Sequence, residues 1–314
     1  MIKVCKYKIS DKELWNDFVS SAKNATFLFN RDFMEYHKDR FEDYSLLCFD
    51  KEKLVALLPA NIQGGIVYSH QGLTYGGIVI QKQIPFFVFM DIYKSLISFL
   101  KTNKIEQFKF KLMPIFYCKS PSNELSFALG EANSKLYKRN KVFAIDYSKE
   151  LTIHKTKIKH FRKGVKLGLK IKEEANLDLF WNKILIPLLD RKYKSKPVHD
   201  LYEINALKRS FPSNIKQFNV YLEGEVLGGI TIFETEEVVK SQYAASTPSG
   251  EKTRALDFLF ISLINRYKAA GKHFFSMGTV ADNSDKGYNE GLVKQKEELG
   301  VSIYVQDFYN LKVK

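Results

Sequence analysis

Two short runs in this sequence combine reactive residue types with a spacing that can hold them. The first is Ser69-His70-Gln71-Gly72-Leu73-Thr74-Tyr75-Gly76-Gly77, where a histidine follows a strand-like stretch and precedes a glycine-rich loop. Imidazole titrates near working pH, so His70 can act as a general base; the alternative is a loop histidine satisfied by backbone groups. The second run, Ser246-Thr247-Pro248-Ser249-Gly250-Glu251-Lys252-Thr253-Arg254-Ala255-Leu256-Asp257, follows the extended stretch Gln242-Tyr243-Ala244-Ala245-Ser246 and leads into a helical pattern. A helix start presents unpaired N–H groups and the positive end of its dipole, which together hold a pyrophosphate. An ordinary cap by Ser249 or Thr253 is the plainer reading of the same residues.

Other chemistries find no pattern. Cys5, Cys48 and Cys118 are an odd number, far apart and without CxxC spacing, so neither a disulfide framework nor a zinc site is expected. His154, His160, His199 and His273 show no i,i+4 pair around a carboxylate, and no metal is expected. A phosphate-binding loop of the Walker type and a GxGxxG after a strand are both missing, which argues against nucleotide hydrolysis and nicotinamide chemistry.

The elements that must position these residues form two similar series. Residues 2–8 alternate as a strand, and Ser10 with Glu13 can cap a helix whose apolar stripe is Leu14, Trp15 and Phe18. A second helix is expected over 31–40. Strands at 44–49 and 54–59 flank the turn Asp50-Lys51-Glu52-Lys53, a further strand spans 66–69, and a helix (86–100) and strand (105–112) follow. The second half repeats that grammar with strands at 218–222, 226–233 and 238–245, a helix at 255–269 and a strand at 273–277. Asp50 matches Glu223 and Ser69 matches Gln242, both at an offset of 173, which predicts a tandem duplication. The expected class is mixed α/β (α+β), with domains at 1–150 and 151–314, rather than a doubly wound parallel sheet. Residues 151–172 hold eight Lys or Arg and no acid, with Ile158, Phe161 and Val165 at helical spacing and Gly168 as a C-cap. This predicts a basic helix at about 153–168 that is either a solvated face or one that meets an anion.

Composition agrees with an anionic partner. The 314 residues carry 49 Lys and Arg against 35 Asp and Glu, a formal charge of +14, and 45% are hydrophobic. That excludes a disordered or fibrous chain and points to nucleic acid, a membrane surface or a phosphorylated small ligand. The first residues lack a leader-like apolar core, and the longest apolar run, around 84–90, is far short of the ~20 residues of a spanning helix. A reducing cytoplasmic location is the expectation.

The run at 69–77, the run at 242–246, the Asn289-Glu290-Gly291-Leu292 segment with Lys294, Lys296 and Gly300, and the basic linker together resemble the Fem-type branch of the GNAT acyltransferase superfamily. The resemblance covers most of the chain and implies two tandem GNAT-like domains. Members attach acyl or aminoacyl groups to amines. Some use aminoacyl-tRNA to build peptidoglycan bridges; others resemble bacterial nucleotide-sugar N-acyltransferases that use acyl-CoA. The chain shows no long heptad insertion like the coiled-coil arm of the peptidoglycan enzymes, so the resemblance favours acyl-CoA and a nucleotide-linked amino sugar, with the tRNA-dependent reaction as the alternative.

The resemblance also distributes roles. It implies a coenzyme-A site from Ala244, Ala245, Gly250, Lys252, Thr253, Arg254 and Asn289, with the main chain of 242–246 facing the thioester. Gln71, Tyr75, Gln242 and Lys294 would meet the substrate. Tyr243 joins His70 as a catalytic candidate, and Asp285 or Glu290 are alternative bases. The first domain would shape the acceptor side and the second would hold the donor.

Overall fold

The structure, a computed structural model, describes residues 2–280 and 286–313. It divides into two compact units, Met1–Asn140 with Val305–Lys314, and Lys141–Tyr304. The expected border at 150 therefore lies ten residues earlier, and the last ten residues belong to the first unit. Specific pairing explains that return. The strand Ser302–Lys312 runs antiparallel to Gln107–Lys111 with Phe308 opposite Lys111. Arg139 also grips Asp307 with two bonds of 2.6 and 2.8 Å, and Gln306 Nε2 donates to the carbonyls of Thr74 and Leu112.

In the first unit, Ile2–Lys6, Leu46–Asp50, Lys53–Leu58 and Val79–Ile80 form one antiparallel sheet. A second set holds Asn61–Gln63, Ile66–Tyr68 and Gln107–Lys111, the last two parallel. The helix Phe86–Thr102 buries Phe89, Ile92, Tyr93, Leu96 and Leu100 against this core, a spacing of three and four that places them on one face. Two local expectations fail. The first helix starts at Lys12 behind Asp11, and neither it nor Ser10 caps it through a side chain. The 31–40 segment is helical only over Arg31–Met34 before tightening into a 3₁₀ turn at Glu35–His37.

In the second unit, Lys170–Glu174, Ile215–Leu222, Glu225–Glu234 and Val238–Ser246 form an antiparallel meander. The hairpin turn sits on Glu223 and Gly224, both with positive φ, as a two-residue turn matched to strand twist requires. Val238–Ser246 then pairs parallel with Phe274–Thr279. The helix Ala255–Ala269 is apolar nearly all round because it is covered twice, by the sheet and by the basic helix Lys155–Lys166. At the second contact a Cβ on Gly164 would lie 2.7 Å from the Phe258 ring, and Phe161 stacks on Phe258 at 5.4 Å. Val165, expected in the buried stripe, is 57% exposed; Gly164 takes the seam instead. Gly168, at φ 74°, ends the helix as expected.

The duplication is visible in how each unit pairs its own strands. In the first, Ile66, Val67 and Tyr68 lie parallel to Gln107, Phe108 and Lys109. In the second, Val238, Val239 and Lys240 lie parallel to Phe274, Phe275 and Ser276. Each is a parallel pair of three residues, reached through a hairpin and closed by a helix.

Candidate functional site

In the second unit the parallel pair ends at Lys240 and Ser276, and the two strands part. Gly278, at φ 65°, and a register shift beside it turn Phe274–Thr279 away. Val238–Ser246 continues, paired on its other side with Glu225–Glu234 as far as Ser246 opposite Gly228. From Gln242 to Ser246 the strand therefore has one edge without a strand partner among the described residues, where backbone groups are not used in a sheet ladder. A pocket of about 400 Å³ opens there, lined by Ala244, Ala245 and Ser246, by Gly250, Arg254, Leu256 and Asp257 of the following turn, and by Lys157.

The turn is built by specific residues. Thr247 caps the short helix Pro248–Thr253, its hydroxyl accepting from Gly250 N at 3.0 Å, so neither Ser249 nor Thr253 is the cap. Thr253 instead donates back to the Ser249 and Gly250 carbonyls. Gly250 is needed for closeness, since a Cβ there would stand 2.1 Å from the Leu227 carbonyl oxygen. Arg254 takes a left-handed conformation (φ 60°, ψ 36°) that breaks the helix and starts a new one at Ala255. No side chain caps that start, and the first backbone bond of the helix is Phe258 N to Arg254 O. The amides of Ala255, Leu256 and Asp257 thus precede the helical ladder, at a positive dipole end beside the pocket.

Beside the pocket the buried charges are paired. Lys157 Nζ donates to Asp257 Oδ1 at 2.7 Å and sits 3.6 Å from Glu298, while His160 Nδ1 meets the other Asp257 oxygen at 2.7 Å. Sequence reasoning counted Lys157 only as one charge in a run. Leu188 and Lys192, which close one side, come from the helix Ile186–Tyr193. Pro187 stands in the first turn of that helix, where its missing N–H costs no ladder bond, and the chain widens into a π turn at Trp181–Leu185 just before it.

The expected donor residues divide. Ala244, Ala245, Gly250 and Arg254 line the pocket. Lys252 and Thr253 do not, and Lys252 is exposed. Asn289 caps the helix Glu290–Glu297 by accepting from Leu292 N at 2.9 Å, and that helix sends Leu292 and Gln295, not Lys294, to the pocket. Tyr243 lies on the strand but packs on Trp181, with its hydroxyl 2.7 Å from His199 Nδ1; burial pushes its pKa up to about 12. Gln242 Oε1 is buried without a partner among the described residues. Asp285 lies outside the described residues.

In the first unit His70 and Gln71 line a second pocket, of about 270 Å³. His70 is 5% exposed and sits at φ 63°, and burial lowers its pKa to about 3, so it is neutral near pH 7. Its Nδ1 has no partner among the described residues, and its ring lies 5.1 Å from that of His37, whose two nitrogens are also unpartnered. Gly72 allows this crowding, because a Cβ there would fall 2.0 Å from His37 Nε2. Gln71 is fixed by two bonds with Asn61. Tyr75 is in the core, 1% exposed, with its hydroxyl 2.8 Å from Thr26 Oγ1. Burial raises the thiols of Cys48 and Cys118, the latter to about 12, which leaves both poor nucleophiles.

No family model and no curated protein matches this sequence. Among solved structures the chain is similar to FemX, at 10% identity over 99% of this chain and 97% of that one, with a TM-score of 0.72. It is also similar to the C-terminal domain of a putative lysylphosphatidylglycerol synthetase from Agrobacterium fabrum (12% identity, 96% and 92% covered, TM-score 0.63). A tandem GNAT protein from the clavulanic acid biosynthesis pathway follows, at 8% identity, 100% and 99% covered and TM-score 0.53. At such identities the likeness is one of fold, and the fold is a pair of GNAT-like domains in one chain.

Proposed function

We propose that this chain is an acyltransferase that moves an acyl group from coenzyme A to the amine of a nucleotide-linked amino sugar. The observation that carries the donor half is the pocket at the parting of Val238–Ser246 and Phe274–Thr279, where a free strand edge meets an uncapped helix start. The amides of Ala255–Asp257, with Arg254, suit a pyrophosphate, and the 242–246 edge suits a thioester carbonyl. The amine nitrogen forms the new C–N bond, the C–S bond breaks, and the coenzyme leaves as thiol with the displaced proton. Direct transfer of this kind needs orientation and oxyanion donors, not a covalent enzyme intermediate. The wider basic surface fits two pyrophosphate-bearing ligands.

The test is a thiol-release assay with a series of acyl-CoAs and nucleotide-linked amino sugars. Thiol release that depends on the acceptor is expected; no release with any pair, together with no coenzyme-A binding, sinks the proposal. A second reading, an aminoacyl-tRNA-dependent transfer, is favoured by the helix Lys155–Lys166, whose Lys155, Lys159, Arg162, Lys163 and Lys166 are all exposed. It requires tRNA binding whose logarithm falls steeply with the logarithm of salt concentration.

A further inference from the structure

The pocket of the first unit occupies the same place in its unit as the donor pocket does in the second. Its parallel pair ends at Tyr68 and Lys109, and the strands part before a single bridge rejoins them at Gly76 and Leu112. The chemistry at this opening is different. Its walls are aromatic: Tyr68, Tyr137 and Phe308, with the last two in edge contact at 6.2 Å. Lysines stand among the rings. Lys109 Nζ lies 5.5 Å from the Tyr68 ring centre and 6.0 Å from that of Tyr137, and Lys138 lies over Phe308 at 5.3 Å. Lys111 is held from behind, donating to the carbonyls of Leu73 at 2.6 Å and Gln71 at 3.1 Å. Among the described residues, none of Lys109, Lys111 and Lys138 has a carboxylate partner.

A sheet face that interleaves rings and unneutralised ammonium groups matches a ligand with a flat apolar part and an anionic part. Bases stack on such rings sequence-tolerantly, and the lysines take phosphate charge. A volume of about 270 Å³ suits one base with its sugar, not a run of strand. The buried side of the pocket, with Ser69 and His70 at 1% and 5% exposure and Phe110 at 1%, closes it at one end.

We infer that this pocket is a mononucleotide subsite, with the base against Tyr68, Tyr137 and Phe308 and the phosphates on Lys109 and Lys111. It deepens the proposed function, on which it rests for the identity of that nucleotide as the handle of the acceptor.

Calorimetric titration of the full chain with UDP, dTDP and GDP tests the inference; adenine nucleotides are left out because coenzyme A contains one. At least one of the three should bind with one-to-one stoichiometry, and inorganic pyrophosphate at least tenfold more weakly. Tyr137→Ala and Lys109→Gln should each weaken that nucleotide tenfold or more and leave coenzyme-A affinity unchanged, since Tyr137 is 45% exposed and both side chains face the pocket rather than the core. Pyrophosphate binding as tightly as the nucleotides, variants that bind like the wild type, or no nucleotide binding at all would each overturn it. Tighter binding of a short single-stranded RNA than of any mononucleotide would also overturn it, by assigning the face to RNA. The two proposals fail separately: nucleotide binding without coenzyme-A binding removes the acyltransferase reading alone, and coenzyme-A binding without nucleotide binding removes this one alone.

Discussion

Lys157 Nζ lies 2.7 Å from Asp257 Oδ1, and both side chains are under 10% exposed. The pair joins the basic helix to the first turn of Ala255–Ala269, so it fixes the helix start that borders the donor pocket. Buried ion pairs are costly to break because removal of one partner leaves a desolvated charge. Asp257→Ala should therefore lower stability by about 3–5 kcal/mol in urea denaturation, and Lys157→Met by less, because His160 still bonds Asp257. The double variant Lys157→Met/Asp257→Leu should recover most of the loss. A single variant within about 0.5 kcal/mol of the wild type would show that the pair contributes nothing to the joint.

Gly250 tests the shape of the same turn. A methyl group at this position meets the Leu227 carbonyl oxygen at 2.1 Å, and that oxygen already accepts from Thr247 N and from its hydroxyl. Backbone cannot yield as a side-chain tip can, so Gly250→Ala should displace the turn. The expected loss is about 1–3 kcal/mol of stability with a clear drop in coenzyme-A affinity. Gly130→Ala, where nothing lies within 4 Å and φ is ordinary, is the control for a general glycine effect.

Arg254 separates the two units in function. It lines the donor pocket in an exposed, left-handed position, and no ion pair of Arg254 is present among the described residues. Arg254→Glu reverses a charge beside a site proposed to hold a pyrophosphate and should weaken coenzyme A at least tenfold, more at low salt than at high. His70→Gln should leave that affinity alone. The reverse order in calorimetry would move the donor site to the first unit.

Much of this arrangement is legible in the sequence, and the failures have physical causes. Hairpins and the helix Ala255–Ala269 are local, and their turn residues and apolar runs sit side by side in the chain. The strand Lys135–Asp146 begins with seven partly or fully exposed residues and shows no alternation, and Ser302–Lys312 finds its partner almost 200 residues away. The cap was legible and misassigned: Thr247 followed by Pro248 is an N-cap with proline at the first helical position. Side-chain parity was the other loss. Adjacent strand residues face opposite ways, so the exposed Ala244 side chain turns to the pocket while its neighbour Tyr243 turns to Trp181 and His199.

Acid should act on the first unit through His37 and His70. Burial lowers their pKa values to about 4 and about 3, so between those values and the ordinary 6.5 the unfolded chain binds protons that the folded chain refuses. The sign follows: stability is fully present above pH 6.5 and is lost progressively as pH falls toward 3. At pH 5 each histidine accounts for a loss of about 2 kcal/mol relative to neutral pH. His37→Leu removes one of the two groups and its unpartnered nitrogens. It should flatten the decline between pH 6.5 and 4 in chemical denaturation, and an unchanged slope would mean that His37 is solvated in the folded chain.

The same burial sharpens what can be asked of His70 in the reaction. A base with a pKa of about 3 is neutral at every working pH but takes up a proton weakly. It lines the pocket of the first unit, and its left-handed backbone, with Gly72 passing close over His37, sets the ring's position. If His70 is nevertheless the base, His70→Gln keeps the shape and loses proton transfer. The saturating rate constant should then fall by about 10²–10⁴ with acceptor KM nearly unchanged. If it positions the acceptor, the loss should appear mainly in acceptor KM, and the rate at saturation should stay within a few-fold of the wild type. Its low pKa favours the second outcome, because a proton leaving an ammonium gains little from an imidazole this weak. A pH profile of the variant separates the two cases further: a lost base changes the acid limb of kcat, and a lost contact leaves that limb where it was.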